Sequence, residues 1–256
     1  MGGSIPFACQ DWANTKAAYR FFANERVEEA DILSGHFAAT RTRYDDCTGP
    51  ILLIQDTTEF SYQRANTSAI GITKSVNSGR DKGGRWRHHT VCGMLMHSSL
   101  AVTVEGLPLG LAAVKFWTRK IQGHGPTQEE GQPDRRSHRE KESVRWLDNL
   151  RQSIERLGQP ERCIHIGDRE SDIYELYCLT LELGGHFLVR ACVDRLAGDG
   201  GHTIATEMEE TSVKDLHYID VRDVKGEMTK PRWRSSSSGL RSCLRSESKT
   251  AIPPST

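Results

Sequence analysis

Two aspartates stand where short apolar runs end. In "GPILLIQDTTEFSY" the run Ile51 to Ile54 leads through Gln55 into Asp56. In "RCIHIGDRESDIYELY" the run Cys163 to Ile166 leads through Gly167 into Asp168, with Glu170, Asp172 and Glu175 close behind. Two carboxylates at the ends of neighbouring strands would offer hard oxygen donors of the kind magnesium or manganese takes. A pair of such ions, about 3.5–4 Å apart, activates an attacking oxygen and stabilises a leaving one. Each aspartate also has a plainer reading. Asp168 can cap a helix holding Glu170 and Asp172, worth about 0.5–2 kcal/mol, and Asp56 before Thr57-Thr58 can be a turn residue.

A second chemistry lies in "SGRDKGGRWRHH", read as a glycine-rich basic loop. Arg80, Lys82, Arg85 and Arg87 are expected to contact nucleic-acid phosphates, with binding that weakens steeply as salt rises. His88 and His89 beside Trp86 can bind phosphate or stack on bases, or belong to a solvated loop. Trp117, Arg119 and Lys120 are a weaker candidate for lining a DNA groove.

The elements that must position these residues follow from periodicity. Residues 11–43 read as helical, with Asn14 as a cap for a helix holding Ala17, Ala18, Phe21 and Phe22. Asn24 breaks that helix before a second one starting near Val27 or Glu28. Pro50 to Gln55 is a buried strand. "TVCGMLMHSSLAVTVEG" and "LPLGLAAVKFW" are a strand pair turning at Gly106. Thr118 to Arg139 is a polar loop. "EKESVRWLDNLRQSIERLG" is a helix with Val144, Leu147, Leu150, Ile154 and Leu157 on one face and Gly158 as a stop. A strand at Cys163 to Ile166, a helix from about Ser171 to Leu183, the strand "HFLVRA" and a β-like "LHYIDVRDVKG" complete the pattern. From Gly49 onward the order is βββαβαβ, that of a ribonuclease-H-like mixed sheet flanked by helices. In that arrangement the first and fourth strands are neighbours, and Asp56 and Asp168 come within reach of shared cations.

Composition sets outer bounds. The chain has 256 residues, 36% hydrophobic and 27% charged, and no run approaches the roughly 18 apolar residues of a membrane span. No signal peptide is visible in "MGGSIPFACQDW". Seven cysteines without a CxxC pair suggest neither a zinc ribbon nor a disulfide framework and fit a reducing, cytoplasmic setting. The net charge of zero hides an asymmetry: Lys230 to Thr256 hold six basic residues and one acidic, leaving 28 basic and 33 acidic elsewhere, a net of −5. The same tail carries eight serines. Basic, serine-rich tails can touch nucleic acid, but an unstructured tail is the expectation.

"IQDTTEFSY" and "GDRESDIYEL" resemble the first two acidic motifs of bacterial cut-and-paste transposases of the insertion-sequence-four type, which carry a DDE triad. "EKESVRWLDNL" resembles the helix before the second motif, "HFLVRA" the strand after it, and "WANTKAAYRFFANERV" the end of the family's N-terminal DNA-recognition domain. The five motifs occur in order over roughly residues 4–228. The resemblance implies that Asp56 and Asp168 are metal-binding catalytic carboxylates using magnesium or manganese, and that Arg190 contacts DNA near them. It implies a partial helical DNA-binding region at 1–48 and a catalytic core at 49–229, with an inserted β-rich segment starting from about 203. Transposon-end and target DNA would be partners, with self-association possible and no membrane.

The family's third carboxylate lies on a later helix with a Tyr-Arg-Glu-Lys signature, and "PRWRSSSSGLRSCLRSESKTAIPPST" does not match it. Residues 230–256 are expected to be disordered or read in a shifted frame. One set of synonymous codons for "PRWRSSS", shifted by two bases, spells the strand-like Glu-Val-Glu-Ile-Lys-Phe. The expected function is that of a DDE transposase whose present chain is an inactive fragment. The alternatives are a non-catalytic DNA-binding remnant that competes with intact enzyme, or a metal-dependent nuclease of the same fold.

Overall fold

A computed structural model describes residues 4–62, 70–119, 135–197 and 200–212, and the strand segments 215–218, 221–222, 228–229 and 232–235. Within them the apolar runs form strands and the amphipathic segments helices: α1 (Ile5–Cys9), α2 (Trp12–Phe22), α3 (Glu29–Asp45), β1 (Ile51–Ser61), β2 (Ile72–Arg80), β3 (Trp86–Thr103), β4 (Pro108–Trp117), α4 (Arg135–Leu157), β5 (Cys163–Gly167), α5 (Tyr174–Glu182) and β6 (His186–Val189).

These form one of two compact units, which ends at Arg190. It is an α/β unit built on a mixed six-stranded sheet. The order runs β2-β3-β1-β5-β6, with β4 also paired to β3. β1 is antiparallel to β3 and parallel to β5, and β5 is parallel to β6. The expected neighbours, the strands ending near Asp56 and Asp168, are thus side by side.

Helices α3 and α4 cover one face of the sheet. Tyr44 of α3 and Leu157 of α4 close a core with Ile51, Leu53, Ala101, Leu109, Ala112 and Cys163. A second cluster joins Trp146, Leu150 and Ile154 of α4 to Leu176 and Leu179 of α5. Each large apolar side chain buried in this way contributes about 1.5–3 kcal/mol. Helix α3, which the sequence groups with the N-terminal region, is fixed to β4 by polar contacts. His36 Nε2 accepts the Leu111 N–H at 2.9 Å, and Arg43 donates to the Leu109 carbonyl. Gly110 permits that approach: its φ of +130° is costly for other residues, and a Cβ there would lie 2.3 Å from Thr40 Oγ1.

Three local expectations are corrected. Asp11, not Asn14, caps α2, because its carboxylate accepts the Asn14 N–H at 2.8 Å and Asn14 already lies inside the first turn. Helix α4 starts at Arg135, within the segment read as a loop up to Arg139. The glycine-rich basic segment is no loop. β2 and the first half of β3 form a ribbon, with Asn77 opposite His88 and Arg80 opposite Trp86. Its turn is closed by Asp81, whose Oδ1 accepts the N–H groups of Gly83 and Arg85 at 2.8 and 2.9 Å.

The second unit begins at Ala191. It holds β7 (Leu196–Ala197), β8 (His202–Thr203), α6 (Ile204–Glu210), β9 (Asp215–Tyr218), β10 (Val221–Arg222), β11 (Met228–Thr229) and β12 (Arg232–Ser235). Strands β7 and β8, β9 and β12, and β10 and β11 make three antiparallel pairs. Arg232–Ser235, assigned by sequence to the tail, is therefore a paired strand. The remainder of 230–256 lies outside the described residues. Among the described residues no helix is long and apolar enough to cross a membrane.

Candidate functional site

Side chains on a strand alternate between faces, and β1 uses this alternation. Ile51, Leu53 and Gln55 are buried, whereas Ile54 and Asp56 are exposed on the opposite face. β5 repeats the pattern, with Cys163 and His165 buried and Ile164 and Ile166 partly exposed. The parallel register pairs Leu53 with His165 and Ile54 with Ile166. Carried on by two positions, it sets Asp56 level with Asp168, one strand spacing of about 4.8 Å apart. Arg190 follows β6 directly, and its N–H donates to the Gly167 carbonyl at 3.2 Å. Asp56, Asp168 and Arg190 thus gather where the parallel strands end, the usual place for ligands in such sheets.

One oxygen of each carboxylate has a local role. Asp56 Oδ1 accepts the Thr57 N–H at 2.7 Å, and Asp168 Oδ1 accepts the Glu170 N–H at 2.9 Å, capping a 3-10 turn. The plainer reading of Asp168 as a cap is therefore met, by one oxygen of the two. The nearby acids go elsewhere: Glu170 pairs with Arg145 at 3.3 Å, and Asp172 accepts the Tyr177 hydroxyl at 2.5 Å. Among the described residues no group of three His, Cys, Asp or Glu forms a metal-sized cluster. Two level aspartates nevertheless fit magnesium or manganese chemically, since these ions are often held by one or two carboxylates and keep several waters.

Behind the carboxylates, on the covered face, lies a polar ladder the sequence did not suggest. Gln55 bridges two buried imidazoles: its Oε1 lies 3.3 Å from His97 Nε2, and its Nε2 lies 3.3 Å from His165 Nδ1. So oriented, the amide requires His97 to donate from Nε2 and His165 to accept at Nδ1. His97 Nδ1 meets the Thr57 hydroxyl at 3.0 Å. The His165 proton is then left on Nε2, a buried atom without a protein partner among the described residues. Trp146 stands edge-on to His97 at 4.3 Å between centroids, a structural role as expected. Asn149 donates to the His97 carbonyl at 3.1 Å. Burial, aided by the positive charge of Arg145, holds His97 down to about 3. Burial alone holds His165 at about 4. Both rings are neutral at ordinary pH. The only sequence sign of this ladder was a polar residue at one buried position in each strand.

The basic residues separate into two places. Arg80, Lys82, Arg85 and Arg87 are all exposed on the ribbon. Arg80 stacks on exposed Trp86 at 4.4 Å from the ring centroid. Ser98 is the β3 residue opposite Asp56. Trp86 lies twelve residues further along the same strand, about 40 Å at the usual rise. The ribbon and Arg190 therefore address different parts of any ligand. Trp117 lies against Arg145 at 5.1 Å from its ring centroid. Lys120 and the side chain of His88 lie outside the described residues.

Residues 1–27, which include α1 and α2, match a family model described as transposase DNA-binding. The match supports a transposase-related role and DNA as a partner. These helices leave Phe7, Trp12, Tyr19 and Phe22 more than half exposed. No curated protein matches the chain.

Proposed function

We propose that the chain is the core of a cut-and-paste DNA transposase of the insertion-sequence-four type, with a ribonuclease-H-like sheet and a DDE-type site. Asp56 and Asp168 are its first two metal-binding carboxylates. The observation that carries this reading is the register of β1 and β5, which sets two strand-end aspartates level, in a chain whose first residues match a transposase DNA-binding family. Magnesium or manganese, when bound, supplies charge stabilisation for phosphodiester cleavage.

The residues of the chain would divide the work. Asp56 and Asp168 direct carboxylate oxygens to the ion. Arg190 neutralises a phosphate beside them. The ribbon residues Arg80, Lys82, Arg85 and Arg87 hold the duplex farther off by phosphate contacts, which position without reading sequence. With two carboxylates of the triad and no third beside them, this chain would bind DNA and ion without completing in-line displacement.

The test is purified chain incubated with duplex DNA carrying a transposon end, in magnesium or manganese. Salt-sensitive binding without nicking or strand transfer is expected. Cleavage at a defined end, lost in both Asp56→Ala and Asp168→Ala, would show the chain to be an active enzyme. Binding that is insensitive to salt would remove the DNA reading itself.

A further inference from the structure

We propose that His165 and Gln55 are positioning residues that set the height of β5 against β1, and so keep Asp168 level with Asp56. This inference rests on the metal-site reading above.

The need for such a device lies in the sequence of the two strands. β1 and β5 share only four register pairs, Ile51–Cys163 to Ile54–Ile166. A slip of one residue would turn the apolar side chains to the wrong face, and burial forbids it. A slip of two residues restores the face. It again sets Ile, Leu and Cys against one another, so hydrophobic pattern alone discriminates weakly between the two alignments. Yet it moves the aspartates about 7 Å out of line, too far to share one ion.

Gln55 separates the alignments. β1 is tied to β3 by eleven pairs from Ile51–Thr103 to Ser61–Gly93. That pairing fixes Gln55 relative to His97, with Oε1 committed to His97 Nε2 at 3.3 Å. The remaining amide nitrogen then meets His165 Nδ1 only where β5 now stands, at 3.3 Å. A two-residue slip carries His165 about 7 Å along the strand and leaves a buried amide donor unmatched. Lasting stability is not the reason for an imidazole at this position. His165 is 1% exposed, and its Nε2 has no protein partner among the described residues. Such an atom costs folding about as much as one hydrogen bond returns.

Two substitutions separate positioning from packing. His165→Leu removes the unpartnered Nε2 donor and leaves the Gln55 nitrogen unpartnered in its place, so thermal stability should change little. His165→Asn keeps an acceptor near the position of Nδ1 but leaves a small void, so it should be the less stable variant with the better alignment. The readouts are cross-strand backbone NOEs between β1 and β5, and manganese affinity measured by paramagnetic resonance on the full chain. Expected for His165→Leu is a second set of NOEs and manganese binding weaker by about tenfold or more. His165→Asn should keep the wild-type register and bind within about threefold of wild type. A single wild-type register in His165→Leu overturns the inference, whatever happens to manganese. Manganese binding unchanged by Asp168→Asn overturns the metal-site reading instead, and the NOEs still decide the role of His165.

Discussion

Acid should unfold this protein through its two buried imidazoles. In the unfolded chain both titrate at 6.5, but in the fold burial holds His97 down to about 3, helped by Arg145, and His165 to about 4. Because the folded values lie below the unfolded ones, the stabilising contribution is complete above about pH 6.5 and is lost as pH falls toward 4. Over that range the unfolded chain takes up protons that the folded chain refuses. Each pH unit costs about 1.4 kcal/mol per histidine, so at about pH 4.5 the loss is about 2.7 kcal/mol from each and about 5 kcal/mol from both. A domain of ordinary stability has only about 5–15 kcal/mol in total. The groups facing His97 do not reverse the sign, since Arg145 of α4 and Lys115 of β4 both disfavour its charged form. Urea unfolding at about pH 7 and about pH 4.5 measures the loss by linear extrapolation. The carboxylates titrate in the same range, so the informative quantity is a difference between proteins. His165→Asn should shrink the loss by about 2–3 kcal/mol. An acid loss equal in the two proteins, within about 0.5 kcal/mol, would refute the reasoning.

Three further outcomes follow from the same geometry. If an ion binds at Asp56 and Asp168, manganese at ten times its dissociation constant should stabilise by about 1.4 kcal/mol. That is a rise of about 3–5 °C in melting temperature, and Asp168→Asn should abolish it. Replacing Arg80, Lys82, Arg85 and Arg87 by Gln should lower the slope of log affinity against log salt by about 3–4 for duplex DNA, measured by fluorescence anisotropy; an unchanged slope would place the phosphate contacts elsewhere. Gly93→Ala sets a Cβ 2.0 Å from the Phe60 carbonyl oxygen, where β1 and β3 cross most closely. It should cost about 1–3 kcal/mol in urea unfolding, and a neutral result would mean that this backbone yields easily.

The parts of the fold legible in the sequence are those that bury a continuous face. Ile51 to Ile54 and Cys163 to Ile166 are short apolar runs bounded by Gly or Pro, and both are strands ending at the expected aspartates. β2 was illegible because of its burial: along "ITKSVNSGR" only Thr73 is buried, so no period appears for a pattern to reveal. The start of α5 at Tyr174 rather than Ser171 reflects a 3-10 turn built by Asp168, which spends three residues before the helix begins. The ladder of Gln55, His97 and His165 was hidden for another reason. Its members are 42 and 110 residues apart in sequence, and a polar residue in a strand reads as an exposed one until its partner across the sheet is known.

The alternation along β1 has a consequence for how such a protein can vary. Positions 53 and 55 are held by buried neighbours, so change there risks the fold, while 54 and 56 face outward and answer to whatever the sheet's other face meets. A single strand thus carries two independent sets of constraints, interleaved residue by residue. Substitutions on one set can accumulate without forcing compensation in the other. A drift in ligand preference and a drift in stability would therefore leave separate, alternating traces along the same few residues.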